Sequence, residues 1–175
     1  MSTGPLPRQA DIRKFASLGA VLEGSVKVAK LDRVAQALAN DSGSVDYCLR
    51  FGFADEGFPC IEGEVKGSVS VLCQRCLKPM DIKLASEFLL AVVADDERAR
   101  QLPKRFEPLV VDEVVDTVAV LEEELLLCLP IVSYHPQQQC SQKVGYQTPD
   151  VVSEVVDEPR QNPFDALAAL KKPES

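Results

Sequence analysis

Polar and apolar residues alternate along four stretches of the chain. In residues 20–28, AVLEGSVKV, the apolar positions Ala20, Leu22, Val26 and Val28 share one phase, and only Gly24 interrupts it. Residues 45–53 repeat the pattern, with Val45, Tyr47, Leu49, Phe51 and Phe53 on one side and Asp46 and Arg50 on the other. Residues 61–72 put Ile61, Val65, Val69 and Val71 opposite Glu62, Glu64, Lys66, Ser68 and Ser70. A fourth run at 82–92 keeps Ile82, Leu84, Phe88, Leu90 and Val92 in phase. Period two marks strands, and one wet face marks an antiparallel sheet. The last three runs are joined too closely for parallel crossovers, so they read as a meander.

The period changes elsewhere. Leu31, Val34, Ala35 and Leu38 lie on one helical face of 31–39, and Asn40-Asp41-Ser42-Gly43 ends it. Residues 54–59 form a loop, 95–105 a charged connector, and 109–111 a further short strand. Asp116 reads as an N-cap for a helix over 117–129, striped by Val118, Leu121, Leu125 and Cys128 and stopped by Pro130. Glu122, Glu123 and Glu124 are consecutive, so they fan round that helix and read as a solvated face rather than an acid–base pair. The expected fold is α+β: a mainly antiparallel sheet, as a meander or partly closed barrel, with a few helices and a flexible C-terminal tail. Residues 1–140 form one domain and 141–161 a flexible linker. Residues 162–172 form a short amphipathic helix, capped by Asn162 and started by Pro163. Its Phe164, Leu167 and Leu170 share a face, which suits either docking on a partner or folding back on the domain.

Composition narrows the class. Hydrophobic residues make up 46% of 175, enough for a core that must be largely aliphatic, since Trp is absent. The opening MSTGPLPRQADIRKF lacks a signal peptide's apolar run, and no stretch approaches the roughly 18 apolar residues of a membrane span. The expectation is a cytoplasmic protein with no membrane partner. The net charge of −8 is uneven: residues 93–140 hold four Lys/Arg against ten Asp/Glu. Such a surface repels phosphate backbones, which disfavours DNA, and reads equally as a docking surface for basic proteins or as a solvated acidic face.

The sharpest chemistry is Cys73-Gln74-Arg75-Cys76, at the turn between two strands. A two-residue gap lets a tight turn aim both sulfurs at one point, as a tetrahedral zinc ion requires. His135 and Cys140, in HPQQQC, supply the complementary pair for one structural zinc ion. The alternative leaves Cys73 and Cys76 as free thiols and His135 as a loop residue. A redox CxxC normally opens a helix, so it fits these strands poorly. Cys48, Cys60 and Cys128 read as small core hydrophobes. No phosphate-binding glycine loop or HExxH occurs. Arg75, Lys78 and Lys83 near the CxxC turn, with Arg98, Arg100, Lys104 and Arg105 in the connector, are the candidates for RNA phosphate contact. No aromatic residues are interleaved with either group.

CQRCLKP at 73–79, FEPL at 106–109, EEELLLCLPIV at 122–132, the H-x₄-C spacing and the closing NPFDALAALK together resemble the YceD family. The resemblance implies a role in synthesis, processing or stability of 23S ribosomal RNA and in large-subunit biogenesis. It implies no enzymatic activity. Many members of that family carry cysteine where this chain has His135, which preserves a ligand type. The family's gene commonly neighbours one for a small large-subunit ribosomal protein, which suggests a partner class. The expected partner is a basic ribosomal protein of the large subunit or a precursor particle. Direct rRNA contact through the basic residues is the alternative, and a thiol oxidoreductase is a distant third.

Overall fold

The computed structural model describes residues 6–136 and residue 140. Eleven strands and α-helices follow in order among them: β1 (Gln9–Asp11), α1 (Ile12–Ser17), β2 (Val21–Lys27), α2 (Asp32–Ala37), β3 (Ser44–Phe53), β4 (Pro59–Leu72), β5 (Pro79–Val93), α3 (Asp96–Arg100), β6 (Glu107–Val110), β7 (Val114–Asp116) and α4 (Thr117–Cys128), with one 3-10 turn, Val28–Lys30, between β2 and α2. The expected linker at 141–161 and helix at 162–172 lie outside the described residues.

Five strands form one sheet in the order β2-β3-β4-β5-β6, and the first four are antiparallel neighbours. The meander is therefore present, while the partly closed barrel is not, because β2 and β6 remain separate edges of the order. The departure from pure antiparallel pairing is β6, which runs parallel to β5 with Leu90 opposite Glu107. The 95–105 connector makes this geometry feasible. It contains α3, whose start is capped by Asp95 accepting from the Arg98 N–H at 2.8 Å, and the chain thereby crosses over before β6.

The alternating runs bury the phase that their pattern assigns. Val45, Tyr47, Leu49 and Phe51 are buried on β3, Ile61, Val65, Val69 and Val71 on β4, and Leu84, Phe88, Leu90 and Val92 on β5. Phe53 departs from this: it ends its strand and is half exposed. Leu121 and Leu125 of α4, Val34 of α2 and Ile12 of α1 join the same core. Cys48 and Cys60 are not core residues: each is out of phase with the buried residues beside it and only partly buried on the wet face. Cys128 is likewise half-buried near the end of α4.

The second correction concerns α4. Glu123 is exposed, but Glu122 and Glu124 are buried. The first residue of α2 follows Leu31, which has no side chain able to cap a helix. Glu122 supplies the missing acceptor across the core, taking the Arg33 N–H at 2.7 Å, while Glu123 pairs with the Arg33 guanidinium at 2.8 Å. A carboxylate that looks solvated by spacing alone is thus the cap of another helix.

The pairing of β1 with β7 and the short α1 went unread in the sequence. The signal was present: Asp11 caps the Lys14 N–H at 2.9 Å, and Ile12 and Ala16 are buried one turn apart. No described helix is long and apolar enough to cross a membrane.

Candidate metal centre at the hairpin tip

The β4–β5 hairpin ends in a knuckle built by backbone hydrogen bonds. The Cys73 N–H donates to the Lys78 carbonyl at 2.9 Å, and the Leu77 N–H donates back to the Cys73 carbonyl at 2.8 Å. Leu77 closes the turn with φ +55°, a left-handed conformation costing a non-glycine residue roughly 1–2 kcal/mol. The segment after α4 is laced to this knuckle. Gln74 donates its N–H to Ser133 at 2.9 Å and its side-chain amide to the Ile131 carbonyl at 3.3 Å. His135 and Cys140 arrive beside the two tip cysteines as a result.

All four expected ligands converge. One donor atom each from Cys73, Cys76, His135 and Cys140 lies within 4.8 Å of the others. Cys73 Sγ and Cys140 Sγ are 3.7 Å apart, and Cys76 Sγ and His135 Nδ1 are 3.4 Å apart. A zinc tetrahedron with Zn–S near 2.3 Å and Zn–N near 2.0–2.1 Å has S–S and S–N edges of about 3.8 and 3.6 Å, so these two pairs fit. The widest separation would close by about 1 Å around such an ion. All six cysteines are free thiols, and 3.7 Å is far from a disulfide's bond length of about 2.05 Å.

The surroundings favour a metal. His135 Nε2 lies 3.2 Å from the Pro79 carbonyl, which accepts the ring N–H and leaves Nδ1 facing the sulfurs. Such an outer hydrogen bond orients a ligating imidazole and fixes its tautomer. Burial pushes the Cys73 thiol up, but the backbone N–H groups of His135, Cys76 and Arg75 and the His135 side chain outweigh it and hold it down to about 5. Burial and the neighbouring Cys76 and Cys73 sulfurs push Cys140 up to about 11. One sulfur is thus ready as thiolate, and the other carries a proton that a cation would displace.

The basic candidates do not form one surface. Arg75 and Lys78 sit exposed on the knuckle, and Lys83 lies a little along β5 on the wet face. Arg98, Arg100, Lys104 and Arg105 follow the far end of that 15-residue strand, roughly 45 Å away. There Arg105 grips Glu56 at 2.7 and 2.9 Å and covers the Phe106 ring, and Arg98 reaches Asp95 at 3.6 Å. Sequence reasoning missed one tip residue. Tyr134 lies under the Arg75 guanidinium, 5.1 Å from carbon to ring centroid, although 58 residues intervene between them. Phe164, Leu167 and Leu170, the candidate partner-binding stripe, lie outside the described residues.

The landmarks that surround this cluster are shared with known proteins. Residues 61–171 match the family model described as large ribosomal RNA subunit accumulation protein YceD. The chain belongs to the YceD family. A relative from Haemophilus influenzae, named large ribosomal RNA subunit accumulation protein YceD, is 30% identical over 169 residues. That match covers 95% of this chain and 97% of the relative, so the similarity to a YceD protein runs end to end. No solved structure matches the chain. In this YceD-family chain the matched span contains all four cluster residues and the helix that delivers two of them.

Proposed function

We propose that this protein is a non-enzymatic cytoplasmic factor that supports synthesis, processing or stability of 23S ribosomal RNA, and through it large-subunit biogenesis. The observation that carries the reading is the end-to-end relation to a protein named for large ribosomal RNA subunit accumulation. We take the Cys₃His cluster to hold one structural zinc ion. Four protein donors complete a tetrahedral shell, as in structural sites, whereas catalytic zinc keeps a position for water or substrate. His135, the one histidine, has both ring nitrogens engaged and so is not free as a general base. Zinc bound there would clip the β4–β5 tip to the segment after α4.

On this reading the protein acts by binding a basic large-subunit ribosomal protein or a precursor particle. The acidic stretch 93–140 offers fewer free carboxylates than its charge suggests. Asp95 and Asp116 cap helices, Glu122 caps α2, and Glu124 is buried. Asp96, Glu97, Glu107, Asp112 and Glu113 remain exposed to meet a basic partner. Direct rRNA contact is the second reading, favoured by the Tyr134–Arg75 stack at the tip. Depletion of the protein should lower large-subunit RNA relative to small-subunit RNA, and the tagged protein should recover large-subunit precursor components. An unchanged RNA ratio with no recovered ribosomal component would overturn the proposal.

A further inference from the structure

The hairpin tip differs from the rest of this acidic protein. Residues 70–80 and 125–136 contain Arg75 and Lys78 but no Asp or Glu. Around them, large apolar side chains face outward: Ile131 is 95% exposed, Leu77 74% and Tyr134 49%. Leu77 holds that exposure from a left-handed backbone, where glycine or asparagine would sit with less strain. Arg75 lies over Tyr134, so a cation and a ring stack as one platform bordered by apolar groups. The lacing of Gln74 to Ile131 and Ser133 brings this platform together from two distant segments.

We propose that the tip is a contact surface for single-stranded RNA. A base stacks on the Arg75–Tyr134 platform, Leu77 and Ile131 shield its edges, and Lys78 meets the backbone phosphate. Lys83, on the wet face roughly 16 Å along the strand, takes a further phosphate of the same segment. Each part matches a physical demand of unpaired RNA: a π-face for the base and cations for the phosphates, with Asp81, exposed on the wet face between Lys78 and Lys83, a carboxylate that the backbone must pass. A duplex hides its base faces and cannot use the platform. An acidic amphipathic peptide could meet the cations and the apolar groups, but it has no need of a stacked guanidinium and ring. The net charge of −8 keeps nonspecific RNA away from the remaining surface, so contact is confined to the tip. The inference rests on the reading that the protein serves large-subunit RNA.

The test uses the full chain loaded with zinc and a fluorescently labelled, mixed-sequence single-stranded RNA, with the same sequence as a duplex for comparison. Anisotropy titrations over a range of salt should show tighter binding to the single strand. The slope of log affinity against log salt should be about −1.4 for the two cation–phosphate contacts of Lys78 and Lys83. Tyr134→Ala should weaken binding about 10-fold, as expected for one lost base stack, and Tyr134→Phe should bind like the parent chain. Lys78→Glu should weaken binding and flatten the slope by about 0.7 or more. These side chains are exposed, and thermal melts matching the parent chain would show that the variants fold. Unchanged affinity in Tyr134→Ala and Lys78→Glu, equal binding of duplex and single strand, or binding of an acidic peptide at the tip with RNA ignored would overturn the inference. Co-sedimentation with large-subunit precursors separates the two readings. If the parent chain sediments with precursors while RNA affinity is indifferent to the tip, only the tip inference falls; if it does not sediment with them, the functional reading falls.

Discussion

The far end of the Phe88 ring lies over Gly63, its directly opposed partner across the β4–β5 ladder; a Cβ built on Gly63 would stand 2.0 Å from the ring's Cζ. The ring fills the space a side chain would have occupied, which joins the two central strands and shields a bare stretch of backbone. Gly63→Ala should therefore overpack the core and cost about 2 kcal/mol or more in urea unfolding. Phe88→Val leaves a void by itself but makes room for the new methyl group. The double variant should then be less destabilised than the sum of the two single changes. Additive losses would show that the ring is not what excludes a side chain at position 63.

Glu122 links two helices, and its neighbour does not. Glu122→Ala removes a buried, charged acceptor from the Arg33 N–H and leaves the start of α2 uncapped, so a loss of about 1.5–3 kcal/mol is expected. Glu123→Ala breaks only an ion pair whose side chains are both more than half exposed, worth less than about 1 kcal/mol. Denaturant midpoints for the two variants check the contrast. Equal losses would mean that the cap is not the source of Glu122's burial.

This pair of glutamates also shows where the sequence was legible. Period two located four strands and their buried phase because Val45, Val65 and Leu84 each repeat a local rule. Asp116 announced α4 because its cap lies two and three residues away, at the Val118 and Ala119 N–H groups. Glu122 could not be read, because the donor it serves is 89 residues distant. The parallel pairing of β6 and the meeting of Tyr134 with Arg75 are long-range in the same way. The Cys₃His set was legible despite comparable separations, since two short spacings with ligand chemistry leave few ways to complete a tetrahedron.

Glu124 should make stability depend on pH with the opposite sign to a salt-bridged carboxylate. Burial and then the nearby Glu107 raise its pKa, and a hydrogen bond with Ser86 only partly offsets them. A raised folded-state pKa means that the protonated form is favoured by folding. Its stabilising contribution is full below the unfolded value of about 4.3 and is lost as pH rises through the folded value. Glu124→Gln keeps the hydrogen-bonding shape without the charge. It should raise stability at neutral pH, with the advantage shrinking as pH falls through the raised folded value and gone below about 4.3. Unfolding midpoints of the parent and variant chains across that interval test it, and a constant difference would exclude Glu124 as the titrating group.

The metal prediction separates a cluster that binds from one that merely converges. Protein purified without chelator should contain about one zinc per chain by elemental analysis, because the four donors form a single closed shell. Stripping the ion should lower the melting temperature, since a structural zinc supplies folding energy. Cys73→Ser should destabilise the zinc-loaded chain strongly and the stripped chain little, a difference that a cysteine serving only as a buried apolar group would not produce. His135→Cys restores a ligand type and should retain the ion, whereas His135→Ala removes both the ligand and its anchor at the Pro79 carbonyl and should lose it. If Cys73→Ser lowered stability equally with and without zinc, Cys73 would be a packing residue and the four convergent donors would not be a metal site.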